Sequence, residues 1–388
     1  MSIEHISDEM VLFYIIYGIT AAIPFIATLY LLLRRGNAFA PGVEPPMRLR
    51  RWAASFFGVV TLGHVWWYLF YAYSGDVNSA AYVLVALIDC VGLITTLAGT
   101  LLAMLQDRYR PVWPALVALV PLLVLGGLQL FYPNPYFMHI TTAYIITVYV
   151  IFSVYMVFAV RRYGRWLNDN YADLEHKRVW LCQVVSLFCL FLFILYALVD
   201  VGSVLIYVLH LIEPVLFALL LWRVETLPLL EDTNAEVITD GNADATPDDN
   251  TFVPQPSTLD LPNSTLVPHN SSLDLAQIEQ LLAEHCVDTK LYLRHDLTLQ
   301  QLAQAIGINR FYLSQYFSRQ SITYNTYINN LRINHFISRY NELSKDNQPI
   351  VAQELANESG YRSYSTFSLA FKQRTGQSVT AWMRDTSE

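Results

Sequence analysis

Charge is what this chain is short of. Asp, Glu, Lys and Arg make up 14% of its 388 residues and hydrophobic residues 54%, where a soluble globular chain is roughly 25% charged. A chain so composed cannot lie wholly in water. Basic residues are also missing by region: none occurs in 1–9, 74–79, 133–137, 200–203 or 224–289. Cysteine is scarce, and Cys90, Cys182, Cys189 and Cys286 follow no metal or disulfide spacing. Three of them fall in apolar runs, so they read as small core hydrophobes. No phosphate-cradling glycine loop or paired-carboxylate motif stands out, so neither an enzyme nor a cofactor is expected. No apolar run contains a Lys, which removes any candidate for a retinal Schiff base.

What is present instead is a series of seven apolar stretches: 10–33, 52–73, 80–106, 112–132, 138–160, 179–199 and 203–223. About 20 helical residues at 1.5 Å each cross a hydrocarbon core of roughly 30 Å. The first stretch is too long for a signal-peptide core and is followed, not preceded, by Arg34-Arg35. It reads as a retained helix. Basic residues gather in alternate loops: Arg34, Arg35, Arg48, Arg50 and Arg51, then Arg108 and Arg110, then Arg161, Arg162, Arg165, Lys177 and Arg178. The positive-inside rule therefore places the N-terminus outside and the C-terminus in the cytoplasm of a bacterial inner membrane. An odd number of spans requires the same.

Three regions follow. Residues 1–224 form the membrane domain. Residues 225–272 are rich in Asp, Asn, Thr, Pro and Ser and read as a disordered acidic tether, because they cannot bury enough surface to offset their ordering entropy. Residues 273–388 form a soluble domain. From Lys290 onward there are 11 basic and 7 acidic residues, a modest excess that suits phosphates without requiring them.

That last domain contains a repeat. Leu302-Ala303-Gln304-Ala305-Ile306-Gly307 recurs as Leu355-Ala356-Asn357-Glu358-Ser359-Gly360. In each copy the Gly can take the positive φ of a tight helix–helix turn. Asn309 and Ser363 then offer caps for a following helix. The apolar pairs Leu313/Phe317 and Phe367/Phe371 give those helices a buried side. Between the copies, Thr323 to Leu343 reads as a long helix of roughly 30 Å, close to the ~34 Å between successive major-groove faces of B-DNA. A helical bundle duplicated without DNA contact would share these features.

The run Gly360-Tyr361-Arg362-Ser363-Tyr364-Ser365-Thr366-Phe367-Ser368-Leu369-Ala370-Phe371-Lys372, followed by Gly376-Gln377-Ser378, resembles the DNA-binding domain of AraC/XylS regulators. Val379 stands where that family usually has Pro. The resemblance covers about 273–384 and implies two helix-turn-helix units joined by a long helix. It further implies that Arg310, Phe311, Ser314 and Gln315 face bases or nearby phosphates, with Arg319 closer to the backbone. In the second unit it places Tyr364, Ser365, Ser368 and Leu369 at the groove, and Ser363 and Lys372 near phosphates. Gln315 has the groups to read an adenine edge, and Leu369 or Phe311 to touch a thymine methyl.

Ionisable groups inside the apolar stretches are the remaining signal. His64, Asp89, His210 and Glu213 fall within predicted spans. They suit either a ligand-sensing pocket or ordinary interhelix hydrogen bonds. A metal site is not expected, since no within-helix spacing supports one.

The expectation is thus an all-α protein, a seven-transmembrane bundle followed by a soluble double helix-turn-helix domain. It would act as a one-component transcription regulator. Its partners would be double-stranded promoter DNA and the lipid bilayer, with RNA polymerase, a second copy of the chain and an unknown small-molecule or envelope signal as further candidates. The alternatives are a transporter or membrane enzyme fused to a regulatory DNA-binding domain, and a tail that binds protein instead of DNA.

Overall fold

The computed structural model describes residues 8–76, 79–132, 134–175, 177–180, 184, 185, 188, 203–230, 275–346 and 348–387. Most of the sixth apolar stretch and the tether from 231 to 272 lie outside them. The chain divides into two units, Met1–Leu167 with Leu174–Leu230, and Asn168–Asp173 with Glu231–Glu388. Among the described residues every regular element is a helix.

Unit 1 contains α1 (Asp8–Leu33), α2 (Met47–Tyr73), α3 (Ala80–Ala103), α4 (Trp113–Phe131), α5 (Pro135–Asn170, whose last residues from Asn168 belong to unit 2) and α6 (Ser203–Thr226). Five helices among the described residues, α1 to α5, are long and apolar enough to cross a membrane. Seven were expected. The sixth stretch falls mostly outside the described residues, and α6, at the place of the seventh, is a 24-residue helix outside that set of five.

Helix ends differ from the apolar limits for a physical reason. Hydropathy stops where charge begins, but Arg is a good helix former and does not stop a backbone ladder. So α2 starts at Met47, right after Pro46, and takes in Arg48, Arg50 and Arg51. Likewise α5 continues past 160 through Arg161, Arg162 and Arg165 to Asn170. The expected loop is helical there, with Tyr163 and Leu167 buried.

Arginines near the helix ends tie parts of unit 1 together. Arg34 Nε lies 3.1 Å from the buried Glu225 carboxylate, which also accepts from Tyr30 at 3.3 Å. Arg110 forks onto Asp107 at 2.5 and 2.9 Å, and Arg50 donates to Leu31 O at 2.6 Å. The region expected to open the tether belongs here. Leu227 and Leu230 are buried, and Leu229 N donates to Glu44 O at 2.9 Å.

Unit 2 is built from α7 (Leu275–Leu282), α8 (Leu299–Ala305), α9 (Arg310–Arg319), α10 (Tyr324–Lys345), α11 (Ala352–Glu358), α12 (Tyr364–Thr375) and α13 (Val379–Ser387). It has two small cores, and α10 feeds both. Its Ile328 packs with Leu302, Leu313 and Phe317, while Ile333 and Phe336 pack with Leu355, Phe367 and Phe371. Between the cores sits Arg332, 1% exposed. It donates to Tyr292 O and Arg294 O, both at 2.7 Å, and lies over the Tyr361 ring at 5.4 Å. Burial pulls its pKa below the usual arginine range, against the opposing pull of Tyr361 and Tyr324. Nothing in the apolar pattern of α10 marks it out in advance.

Candidate functional site

Each repeat forms a short helix, a tight turn and a second helix. Gly307 and Gly360 close the turns at φ +74° and +89°, backbone that L side chains rarely adopt. Gly360 is also pinned, because a Cβ there would stand 2.7 Å from Leu293 O and 3.0 Å from Arg332 Nε. Asn309 then caps α9, accepting from Phe311 N at 2.8 Å. Ser363 caps α12, accepting from Thr366 N at 3.3 Å. The caps are 54 residues apart, so Phe311, Ser314, Gln315 and Ser318 correspond to Ser365, Ser368, Leu369 and Lys372. Capping orients each helix N-terminus, where backbone N–H groups and the dipole attract phosphate oxygens.

The outward sides carry most of the residues picked from sequence. Phe311, Ser314, Gln315 and Arg319 are exposed on α9, and Ser365, Leu369 and Lys372 on α12. Phe311 at 66% and Leu369 at 51% are large apolar groups held in solvent, the form expected for contact with thymine methyls. Four picks sit differently. Ser363 spends its hydroxyl on the cap, and the Tyr364 ring packs on the second core, 5.7 Å from Phe367. Ser368 is half-buried.

Arg310 is the fourth. Its guanidinium donates to Asn170 Oδ1, and burial lowers its pKa. Asn170 belongs to the 168–173 segment of the same unit, which Asn325 Nδ2 grips through Ala172 O at 2.7 Å. Ala172 N in turn donates to Leu297 O at 3.1 Å. A segment more than a hundred residues upstream leaves no local trace near 310, so sequence reasoning had no means to find this contact.

A family model described as a helix-turn-helix domain matches residues 302–385. The stretch is an AraC-type helix-turn-helix domain. It spans both repeats and α10, and it supports a DNA-binding transcription regulator. No curated protein and no solved structure matches the chain.

The second candidate lies in unit 1. His64, Asp89, His210 and Glu213, from α2, α3 and α6, line one cavity of about 820 Å³. Val60 O can only accept, so the 2.9 Å contact fixes the proton of His64 on Nδ1. Asp89 Oδ2 accepts from Trp67 Nε1 at 3.1 Å, and His210 Nδ1 stands 3.2 Å from Glu213 Oε2. Gly63 lets Asp89 approach α2, since a Cβ there would meet Asp89 Oδ1 at 2.7 Å. Tyr17 bridges the histidines, with its ring 5.1 Å from His64 and 5.8 Å from His210. Its hydroxyl donates to His64 O at 2.6 Å.

Tyr17, Phe13 and Tyr71 were not picked from sequence. Their i, i+4 spacing with one another and with Trp67 was the available signal, and it reads equally well as plain helix packing. Among the described residues no group of three His, Cys, Asp or Glu converges enough to hold a metal ion.

Proposed function

We propose that the protein is a membrane-embedded one-component transcription regulator. Seven helices cross the bilayer with the N-terminus outside, and the C-terminal unit binds promoter duplex in the cytoplasm. The observation that carries this reading is one chain that joins five membrane-length helices to an AraC-type domain. The outward face of the helices supports it. Ile26, Leu33, Val117, Ile151 and Phe158 are each more than 50% exposed, which suits lipid and would be an aggregation hazard in water.

On DNA, α9 and α12 enter successive major grooves while α10, at 22 residues and thus about 33 Å, sets their separation. Gln315 and Phe311 read bases in one groove, Leu369 and Ser365 in the other. Arg319 and Lys372 meet phosphates, as does Arg310 once it exchanges Asn170 for DNA. RNA polymerase and a second copy of the chain are the expected partners at the promoter. The cavity in unit 1 receives the signal.

Binding of the full-length protein to duplex DNA across a salt series tests the first half. Contact with several phosphates gives a steep fall of log K with log salt, a slope near −0.9 per phosphate. A flat response points to a protein partner for the tail. Reporter fusions at residue 388 test the second half. A C-terminus outside the cell could never reach the chromosome and would end this reading.

A further inference from the structure

The cavity described above has a composition that selects among ligands. Two carboxylates reach it from different helices, Asp89 on α3 and Glu213 on α6, and among the described residues lining it there is no Lys or Arg. Glu213 has His210 beside it, and Asp89 has the neutral Trp67 indole and the nearby His64 imidazole, but among the described residues neither carboxylate has a permanently charged partner. A carboxylate at this depth in an apolar bundle calls for a positive partner.

The walls point the same way. Phe13, Tyr14, Tyr17, Trp67, Tyr68 and Tyr71 line the same space, and aromatic ring faces attract cations. An anion would meet two carboxylates and electron-rich rings, with no Lys or Arg among the described lining residues and only His64 and His210 able to carry positive charge. Among the described residues no three His, Cys, Asp or Glu side chains converge on the cavity to hold a metal ion. The cavity is far too large for a simple ammonium ion and falls in the range of sites for drug-sized molecules. Phe56, Leu97 and Phe217 also line it, so an apolar body on the ligand is accommodated.

We propose that this cavity binds an amphiphilic organic cation. Its ammonium or similar head sits between Asp89 and Glu213 against the Tyr17 and Trp67 rings, and its apolar body lies over Phe56 and Phe217. The proposal deepens the reading of unit 1 as the sensing part and rests on it. By the charge-based topology, Tyr17, His64, Asp89 and His210 all fall in the outer half of their spans, so the ligand arrives from outside the cell.

The test uses the purified full-length protein in lipid nanodiscs, followed by tryptophan fluorescence. Benzyltrimethylammonium and tetraphenylphosphonium are titrated beside neopentylbenzene, the neutral isostere of the first, and phenylmethanesulfonate, an anion of similar size. Saturable responses to the cations alone are expected. Asp89→Asn should weaken them about 30-fold or more, as removal of one partner from a buried charge pair does. Equal responses to neopentylbenzene or to the sulfonate would overturn the proposal, as would no saturable response to either cation at millimolar concentration. The isostere comparison on unaltered protein decides even if Asp89→Asn misfolds. Promoter-DNA binding is measured in the same preparation. Cation binding without DNA binding removes the regulator and leaves the site, whereas DNA binding without cation binding removes the site alone.

Discussion

The two units handle buried arginine and carboxylate groups in different ways. In unit 1 the interior end-network pairs opposite charges, Arg34 with Glu225 and Arg110 with Asp107. In unit 2 the deeply buried Arg332 has, among the described residues, no carboxylate within ion-pair distance and donates to two backbone carbonyls. The first device ties together chain segments at the helix ends of unit 1. The second joins two small domains, because Tyr292 O and Arg294 O belong to the segment before the first repeat while Tyr361 opens the turn of the second. A planar fork that reaches two carbonyls at once is something only Arg supplies.

The largest effect should come from breaking that joint. Arg332→Ala leaves the buried Tyr292 carbonyl and the part-buried Arg294 carbonyl without that donor and removes a large side chain from between the cores. Hydrogen bonds to charged groups are worth roughly 1.5–3 kcal/mol each, so a loss of about 3 kcal/mol or more is expected in denaturant unfolding of the helix-turn-helix unit. Arg332→Lys should recover little, since an ammonium cannot fork. Full rescue by Lys would show that charge alone matters and erase the contrast with unit 1.

The glycines of the two turns sharpen the comparison inside unit 2. Gly307→Ala meets open space and carries only the backbone cost, about 1–2 kcal/mol at positive φ. Gly360→Ala carries that cost and also drives a methyl against Leu293 O and Arg332 Nε. It should therefore lose more, by at least about 1 kcal/mol. Equal losses would mean that the Arg332 joint is softer than its distances imply.

How much of this was legible beforehand follows from the same contrast. The repeat Leu302–Gly307/Leu355–Gly360, both caps, and α10 from 324 to 345 are local patterns, set by residues within a few positions of one another. Sequence holds such patterns openly. The apolar runs of α1 to α5 were equally plain, but their ends were not, because Arg161–Arg165 stop hydropathy without stopping the helix. His64, Asp89, His210 and Glu213 stood out as costly groups, yet their shared cavity depends on how α2, α3 and α6 pack. The Asn170–Arg310 contact was not legible at all.

At the proposed DNA face the expected effects are smaller. Lys372→Ala removes one exposed cation from the end of α12 and should weaken binding several-fold on all sequences alike. The salt slope should fall by about 1. Gln315→Ala should instead change which base is preferred at one position, by roughly 1–3 kcal/mol of discrimination. A uniform loss from Gln315→Ala would move it from the readers to the phosphate contacts.

The smallest effect should lie two helical turns from the largest. Arg339 stands seven positions after Arg332, on nearly the same side of α10, and holds Glu342 at 2.6 Å. That contact is shorter than either bond of Arg332. It depresses the Glu342 carboxyl below its ordinary value, chiefly through the hydrogen bond from Arg339. A depressed carboxyl adds stability that is present above its unfolded pKa and lost as pH falls through the folded one. Both side chains are exposed, however, and water and salt already solvate them as well as they solvate each other. Glu342→Gln should leave the unfolding midpoint unchanged at neutral pH, and acidification should show no step assignable to this residue. A clear midpoint drop would mean that bond length, and not burial, ranks the arginines of α10. Periodicity cannot make that ranking, since it treats 332 and 339 alike. What separates them is the chain that covers one and leaves the other in solvent.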